Sequence, residues 1–183
     1  MRRGEALGLR WKDIDLKNGI VDINKTRLYV NKAIGTIDDT PKNETSKRII
    51  SIPKQAVEQL REWKIEQMQN FMKLGIHWDE ETYLFTSWNG KPMHPDTPSK
   101  WFTDFLKKNN LPQVHIHSLR HTNASLLIAN GVDIKTVSKR LGHSSIQTTG
   151  VIYTHAIQKA DKLASEQLRR LPLSILLLCL HKM

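Results

Sequence analysis

The chain has 183 residues, enough for one domain with a substantial core and little more. At 39% hydrophobic and 25% charged it is ordinary for a globular protein, and its single cysteine, Cys179, excludes an internal disulfide framework and a multi-cysteine zinc site. The net charge of +10 and pI near 9.8 favour a polyanionic partner held by phosphate neutralisation and counterion release; a basic protein without such a partner is the bland alternative.

The N-terminal "RRGEALGLRWKDIDL" reads as a helix, with Ala6, Leu7 and Leu9 on its apolar face and Trp11 and Ile14 continuing it less regularly. No apolar signal-peptide core is visible there. Asn18-Gly19 marks a turn. Ile20, Val21, Ile23, Leu28 and Val30 then alternate with polar residues, which predicts strands, and Ile34 and Ile37 extend the pattern. "PKNETSKRIISIP" starts as a polar loop and ends as a strand through Ile49, Ile50 and Ile52. The expected class is α+β, mainly helical with a small three-stranded antiparallel sheet.

From Lys54 to Leu74 the spacing predicts a helix with Val57, Leu60, Lys64, Met68, Phe71 and Leu74 on one face, ended by Gly75. "YLFTSWNGKP" reads as a brief strand and a turn at Asn89-Gly90, and "TPSKWFTDFLKKNNL" as an amphipathic helix carrying Trp101, Phe102, Phe105 and Leu106. Ser118 is the expected cap of a helix running to about Ala129, with Asn130-Gly131 as terminator. Asp133 caps the next helix, which Gly142 ends; a last helix spans about 157–171 and stops at Pro172. The apolar run "LPLSILLLCL" is about half of the ~20 residues a spanning helix needs, so it reads as a segment that docks on protein, with membrane contact the lesser alternative.

Five of the eight histidines fall between His115 and His155, among Arg120, Lys135, Lys139, Arg140 and Tyr153. His117 and Arg120 share one helical face: an imidazole that moves a proton near neutral pH, and a guanidinium that grips two phosphate oxygens. A capping histidine beside a solvated arginine would look the same. His117 and His121 have the i, i+4 spacing of metal ligands, but no HExxH glutamate lies between them and Asp133 is the sole carboxylate nearby. A helix-turn-helix is a third reading: Ala124, Gly131, Val137 and Leu141 fall at its packing positions, and Lys135, Lys139 and Arg140 would face DNA. Tyr153 adds a nucleophile, and with two arginines, two histidines and a lysine completes an inventory for phosphoryl transfer to a protein oxygen.

These residues resemble the tyrosine recombinases, or phage-type integrases, of bacteria and mobile elements, over about residues 1–170. "RRGEALGLRWKDID" looks like the block with the first catalytic arginine, where the R-x-x-E pattern ending at Glu5 selects Arg2. "PKNETSKRIISIP" is similar to the block with the active-site lysine, and its P-K-x-x-x-S-x-R setting favours Lys42 over Lys47 and Lys54. "HSLRHT" resembles the H-x-x-R block of His117 and Arg120. "LGHSSIQTTGVIYTH" resembles the block holding His143 and the nucleophile Tyr153.

The resemblance implies cutting and rejoining of double-stranded DNA with no metal or other cofactor. Arg2 and Arg120 would clamp the phosphate, Tyr153 would attack phosphorus, His117 would accept its proton, His143 would bond a phosphate oxygen, and Lys42 would protonate the departing 5′ oxygen. Glu5 reads as a helix-end or buffering carboxylate, and His121 and His155 as supporting groups, with a solvated His155 the alternative. The expected organisation is a catalytic domain over 1–170, lacking the family's N-terminal DNA-clamping domain, followed by an apolar tail over 171–183. The expected partners are DNA and, on DNA, further copies in a tetramer, with no membrane; the tail is either passed to a neighbouring copy or folded back on its own domain. The expected location is the bacterial cytoplasm, at the nucleoid. The alternative is an inactive or truncated DNA-binding protein, a helix-turn-helix-like regulator.

Overall fold

Asn18-Gly19 reverses the chain as expected, with Gly19 at φ +64°, and the reversal decides which strands pair. It folds β2 (Ile20–Ile23) back on β1 (Ile14–Asp15) with Ile14 opposite Val21, and β2 then pairs with β5 (Arg48–Ser51), Val21 opposite Ile50 and Ile23 opposite Arg48. The result is a three-stranded antiparallel sheet in the order β1-β2-β5. The structure is a computed structural model and describes residues 1–39 and 47–143. Lys42, Tyr153, the helix expected over 157–171 and the tail over 171–183 lie outside them.

Two expectations change in this first half. The N-terminal helix is short: α1 (Arg3–Gly8) gives way to a 3₁₀ turn at Trp11–Asp13 and then to β1. Leu9, Trp11 and Ile14 are all buried, and a single α-helix cannot point these three positions into one core. β3 (Thr26–Asn31) and β4 (Gly35–Asp39) form a separate two-stranded hairpin rather than joining the sheet.

The helix α2 (Lys54–Lys73) spans almost the expected range, and Gly75 follows it at φ +66°. Its buried stripe is rotated from the expected one. Val57 and Phe71 are buried and Leu60 and Trp63 pack on the core, but Gln67 replaces Met68 as the inward residue. Gln67 earns its burial by hydrogen bonding: Oε1 accepts from Trp11 Nε1 at 2.6 Å and Trp78 Nε1 at 3.0 Å, and Nε2 donates to Thr86 Oγ1 at 3.0 Å. "YLFTSW" is not a full strand. The Leu84 amide donates to the Leu9 carbonyl and the Trp11 amide to the Thr82 carbonyl, but the 3₁₀ turn ends the pairing after an isolated bridge between Arg10 and Tyr83.

The second half is helical: α3 (Thr97–Lys108), α4 (Ile116–Ala129) and α5 (Ile134–Leu141). The cap of α4 is His115, not Ser118, so the helix begins three residues earlier than expected. α5 follows the sequence closely. The Thr136 amide donates to Asp133 Oδ1 at 2.9 Å, and Gly142 ends the helix in the left-handed region at φ 67°, ψ 45°. Ala124 and Ile128 of α4 pack on Val137 and Leu141 of α5, a second small core beside the one built on the sheet. Among the described residues, no helix is long and apolar enough to cross a membrane.

Candidate active site

The C-terminal end of α5 gathers three guanidiniums. A helix leaves its last carbonyls without intrahelical partners and carries partial negative charge there. Arg48 Nε donates to the Arg140 carbonyl at 2.7 Å, Arg120 Nη2 to the Leu141 carbonyl at 2.6 Å, and Arg2 Nη2 to the Gly142 carbonyl at 3.3 Å. Three consecutive carbonyls thus converge groups from β5, α4 and the N-terminal segment beside His143. Arg2 and Arg120, far apart in sequence, meet here as the R-x-x-E and H-x-x-R blocks imply.

Glu5 holds the cationic cluster together. Its Oε2 accepts from the Arg2 backbone amide at 2.6 Å, one half of a helix-capping pattern, and its Oε1 accepts from Arg2 Nη1 at 3.0 Å. The same carboxylate receives Arg48 Nη2 at 2.8 Å and Nη1 at 3.2 Å. Burial alone would raise the Glu5 carboxyl, but the hydrogen bonds from Arg48 and Arg2 and the Arg48 charge outweigh it and hold it down at about 2. Glu5 is therefore ionised at neutral pH, and it orients arginines rather than buffering protons.

Burial and the charges of Arg120, Arg2, His121 and Arg48 push His143 down to about 4. His117 is lowered as well, by burial and then by His121, Arg120 and Arg2. Both imidazoles are neutral near pH 7, and a neutral ring can accept a proton or share a hydrogen bond. His117 and His121 meet edge to face with centroids 4.9 Å apart. Among the described residues, no group of three or more His, Cys, Asp or Glu is placed to hold a metal ion. A cavity of about 290 Å³ opens over this cluster, lined by Arg2, Ala6, His117, Arg120, Asn123 and Leu141.

The structure thus brings together four of the sequence candidates, Arg2, His117, Arg120 and His143. Lys42 and Tyr153 lie outside the described residues. Lys135 and Lys139 are exposed on α5, whereas Arg140 is half-buried and donates from Nη2 to the Ser51 carbonyl at 2.9 Å, a bond to β5. The α4–α5 pair packs as a helical hairpin with Ala124, Val137 and Leu141 buried, though Gly131 is exposed in the turn. The sequence reading assigned no role to Arg48. The signal was present, since Arg48 closes the P-K-x-x-x-S-x-R pattern.

Residues 1–160 match the model of the phage integrase family. The chain is 34% identical over 168 residues to the ICEBs1 integrase of Bacillus subtilis (strain 168), an overlap covering 92% of this chain and 45% of that protein. It is 34% identical over 181 residues to a protein of Caldanaerobacter subterraneus subsp. tengcongensis named tyrosine recombinase XerC-like, covering 93% of this chain and 46% of that one. Among solved structures it is similar to the Tn1549 transposon integrase in complex with transposon right end DNA, with a TM-score of 0.77 at 26% identity over 92% of this chain and 55% of that chain. It also resembles the XerA recombinase, with a TM-score of 0.68 at 26% identity over 93% and 54% of the two chains. The chain spans about half the length of these proteins. By the family match over most of its length, and by these relatives, the chain belongs to the phage integrase family of tyrosine recombinases.

Proposed function

We propose that the chain performs site-specific DNA strand cleavage and rejoining, the chemistry of integration and excision, through a covalent 3′-phosphotyrosine at Tyr153. The observation that carries the proposal is the convergence of Arg2 and Arg120 on neighbouring carbonyls beside His143, at a cavity that His117 also lines. A phosphodiester carries one negative charge, and in-line attack raises it to roughly two in the phosphorane. Two guanidiniums on the non-bridging oxygens favour that gain, and His143, neutral at pH 7, bonds one of the same oxygens.

The Tyr153 oxygen attacks phosphorus as its proton passes to His117. The bond from phosphorus to the 5′ oxygen breaks, and Lys42 supplies the proton that the 5′ oxygen takes. The products are a tyrosyl phosphodiester and a free 5′ hydroxyl, so bond energy is conserved. A 5′ hydroxyl from another strand reseals the backbone by the reverse path. No metal or diffusible cofactor takes part.

Residues 1–170 form the catalytic domain in this reading and 171–183 an apolar tail passed to a neighbouring copy, with four copies assembling on double-stranded DNA. Lys135 and Lys139 neutralise phosphates, with Arg140 at the edge of the same surface. Such an enzyme works in the bacterial cytoplasm, on the nucleoid. DNA binding has support from the similar Tn1549 transposon integrase, whose structure is a complex with transposon DNA.

The test is to incubate the chain with a pool of nicked duplexes of randomised core and recover DNA that stays attached through boiling in detergent. The expected result is an adduct that forms in EDTA. Salt-sensitive binding without an adduct would instead support a DNA-binding protein that does not cut.

A further inference from the structure

Arg48 occupies a position where a strand normally presents an apolar side chain. On β5 it shares the inward face with Ile50 and lies in register with the fully buried Ile23. A charge placed there is expensive unless every part of it is matched. The match is specific: Nη1 and Nη2 fork onto the two oxygens of Glu5, and Nε reaches the Arg140 carbonyl at 2.7 Å. The turn beyond α5 is cut to fit this group. A Cβ on Gly142 would lie 2.6 Å from Arg48 Nη1 and 3.0 Å from its Cζ.

Each end of Arg48 therefore grips a partner of the reacting groups. Through Glu5 it sets the carboxylate that receives both the Arg2 backbone amide and the Arg2 guanidinium. Through the Arg140 carbonyl it sets the end of α5, two residues before Gly142, whose carbonyl receives Arg2, and three before His143. We propose that Arg48 is a positioning residue for strand cleavage, a buried brace that fixes Arg2 and the His143 turn relative to each other. This rests on the function proposed above. Lysine could keep the charge against Glu5 but not the three-way fork.

The test uses R48K, R48M and the matched variant E5Q/R48M, with two readouts. The first needs no DNA: NMR of the arginine guanidinium groups in the full chain. Wild-type Arg2, held by Glu5 and the Gly142 carbonyl, shows hindered rotation of its Nη groups, and R48K releases it. Arg2 signals in folded R48K that match wild type would overturn the proposal.

The second readout is the rate of covalent adduct formation on a duplex recovered from the pool, made once with an ordinary diester at the cleaved position and once with a methylphosphonate. Replacing a non-bridging oxygen by methyl removes the charge that Arg2, with Arg120, serves. R48K should slow adduct formation on the diester by about a hundredfold, and at least about tenfold of that loss should vanish on the methylphosphonate. E5Q/R48M should regain stability relative to R48M, because no buried charge is left unmatched, yet remain slow on the diester. Equal losses on both substrates, or a rate that recovers with stability, would make Arg48 a structural residue only and end the proposal. If wild type yields no adduct, the cleavage reading fails and the Arg2 signals alone decide whether Arg48 positions it.

Discussion

Arg120 reaches from the second turn of α4 to the Leu141 carbonyl at 2.6 Å and binds the two helices at the point where the candidate site begins. Arg120 thus has two duties, since it closes the end of α5 and lines the cavity. Its removal should show in both. Arg120→Ala should slow covalent adduct formation by about a hundredfold or more and lower stability by about 1–3 kcal/mol. Urea unfolding and the adduct assay, run on one preparation, check the pair.

Gly142 meets two independent constraints, a φ of 67° and the Arg48 guanidinium lying where a Cβ would go. Gly142→Ala violates both, whereas Gly131→Ala, with open space around it at φ 83°, violates the first alone. The Gly142 variant should lose about 1–3 kcal/mol and the Gly131 variant less. Comparing the two urea midpoints tests whether the packed guanidinium, and not backbone strain alone, sets the difference.

The site should also make the protein acid-sensitive. His143 is pushed down to about 4 in the folded chain from an ordinary 6.5, so between these values the unfolded state binds more protons. Its contribution to stability is therefore present above pH 6.5 and lost as pH falls towards 4. Glu5, down to about 2 from 4.5, adds a second loss as pH falls from 4.5 towards 2. Unfolding midpoints measured from pH 7 down to 4 should fall, and His143→Gln should flatten the slope above pH 4.5. A slope unchanged in that variant would place its origin elsewhere.

Lys135 and Lys139 are exposed on α5, where the proposed function has them meet phosphates. Replacing either with Ala should weaken binding to duplexes of any sequence and reduce the slope of log affinity against log salt by about 1. Fluorescence anisotropy across a salt series measures this. An unchanged slope would remove that residue from the interface.

What could be read from the sequence was local. The Asp133 cap, the Gly142 stop and the Asn18-Gly19 turn each depend on a few adjacent residues, and the His117–Arg120 spacing needs only one helical turn. Arg48 was not legible as a brace, because its place is set by Ile23 opposite, by Glu5 from α1 and by the Arg140 carbonyl from α5. The shortness of α1 escaped for a similar reason: the core draws in Leu9, Trp11 and Ile14 together, against the local helical preference. Gln67 escaped because a buried amide pays off only when two indoles and a threonine surround it. Lys42 and Tyr153 rest on the family pattern, since both lie outside the described residues.

The most direct measurement is to digest the covalent protein–DNA product and sequence the peptide that carries the nucleotide. The account predicts one modified peptide with the DNA 3′ phosphate on Tyr153, formed in the presence of EDTA and missing from Tyr153→Phe. An adduct that persists in Tyr153→Phe, or a nucleotide mapped to another side chain, would contradict it.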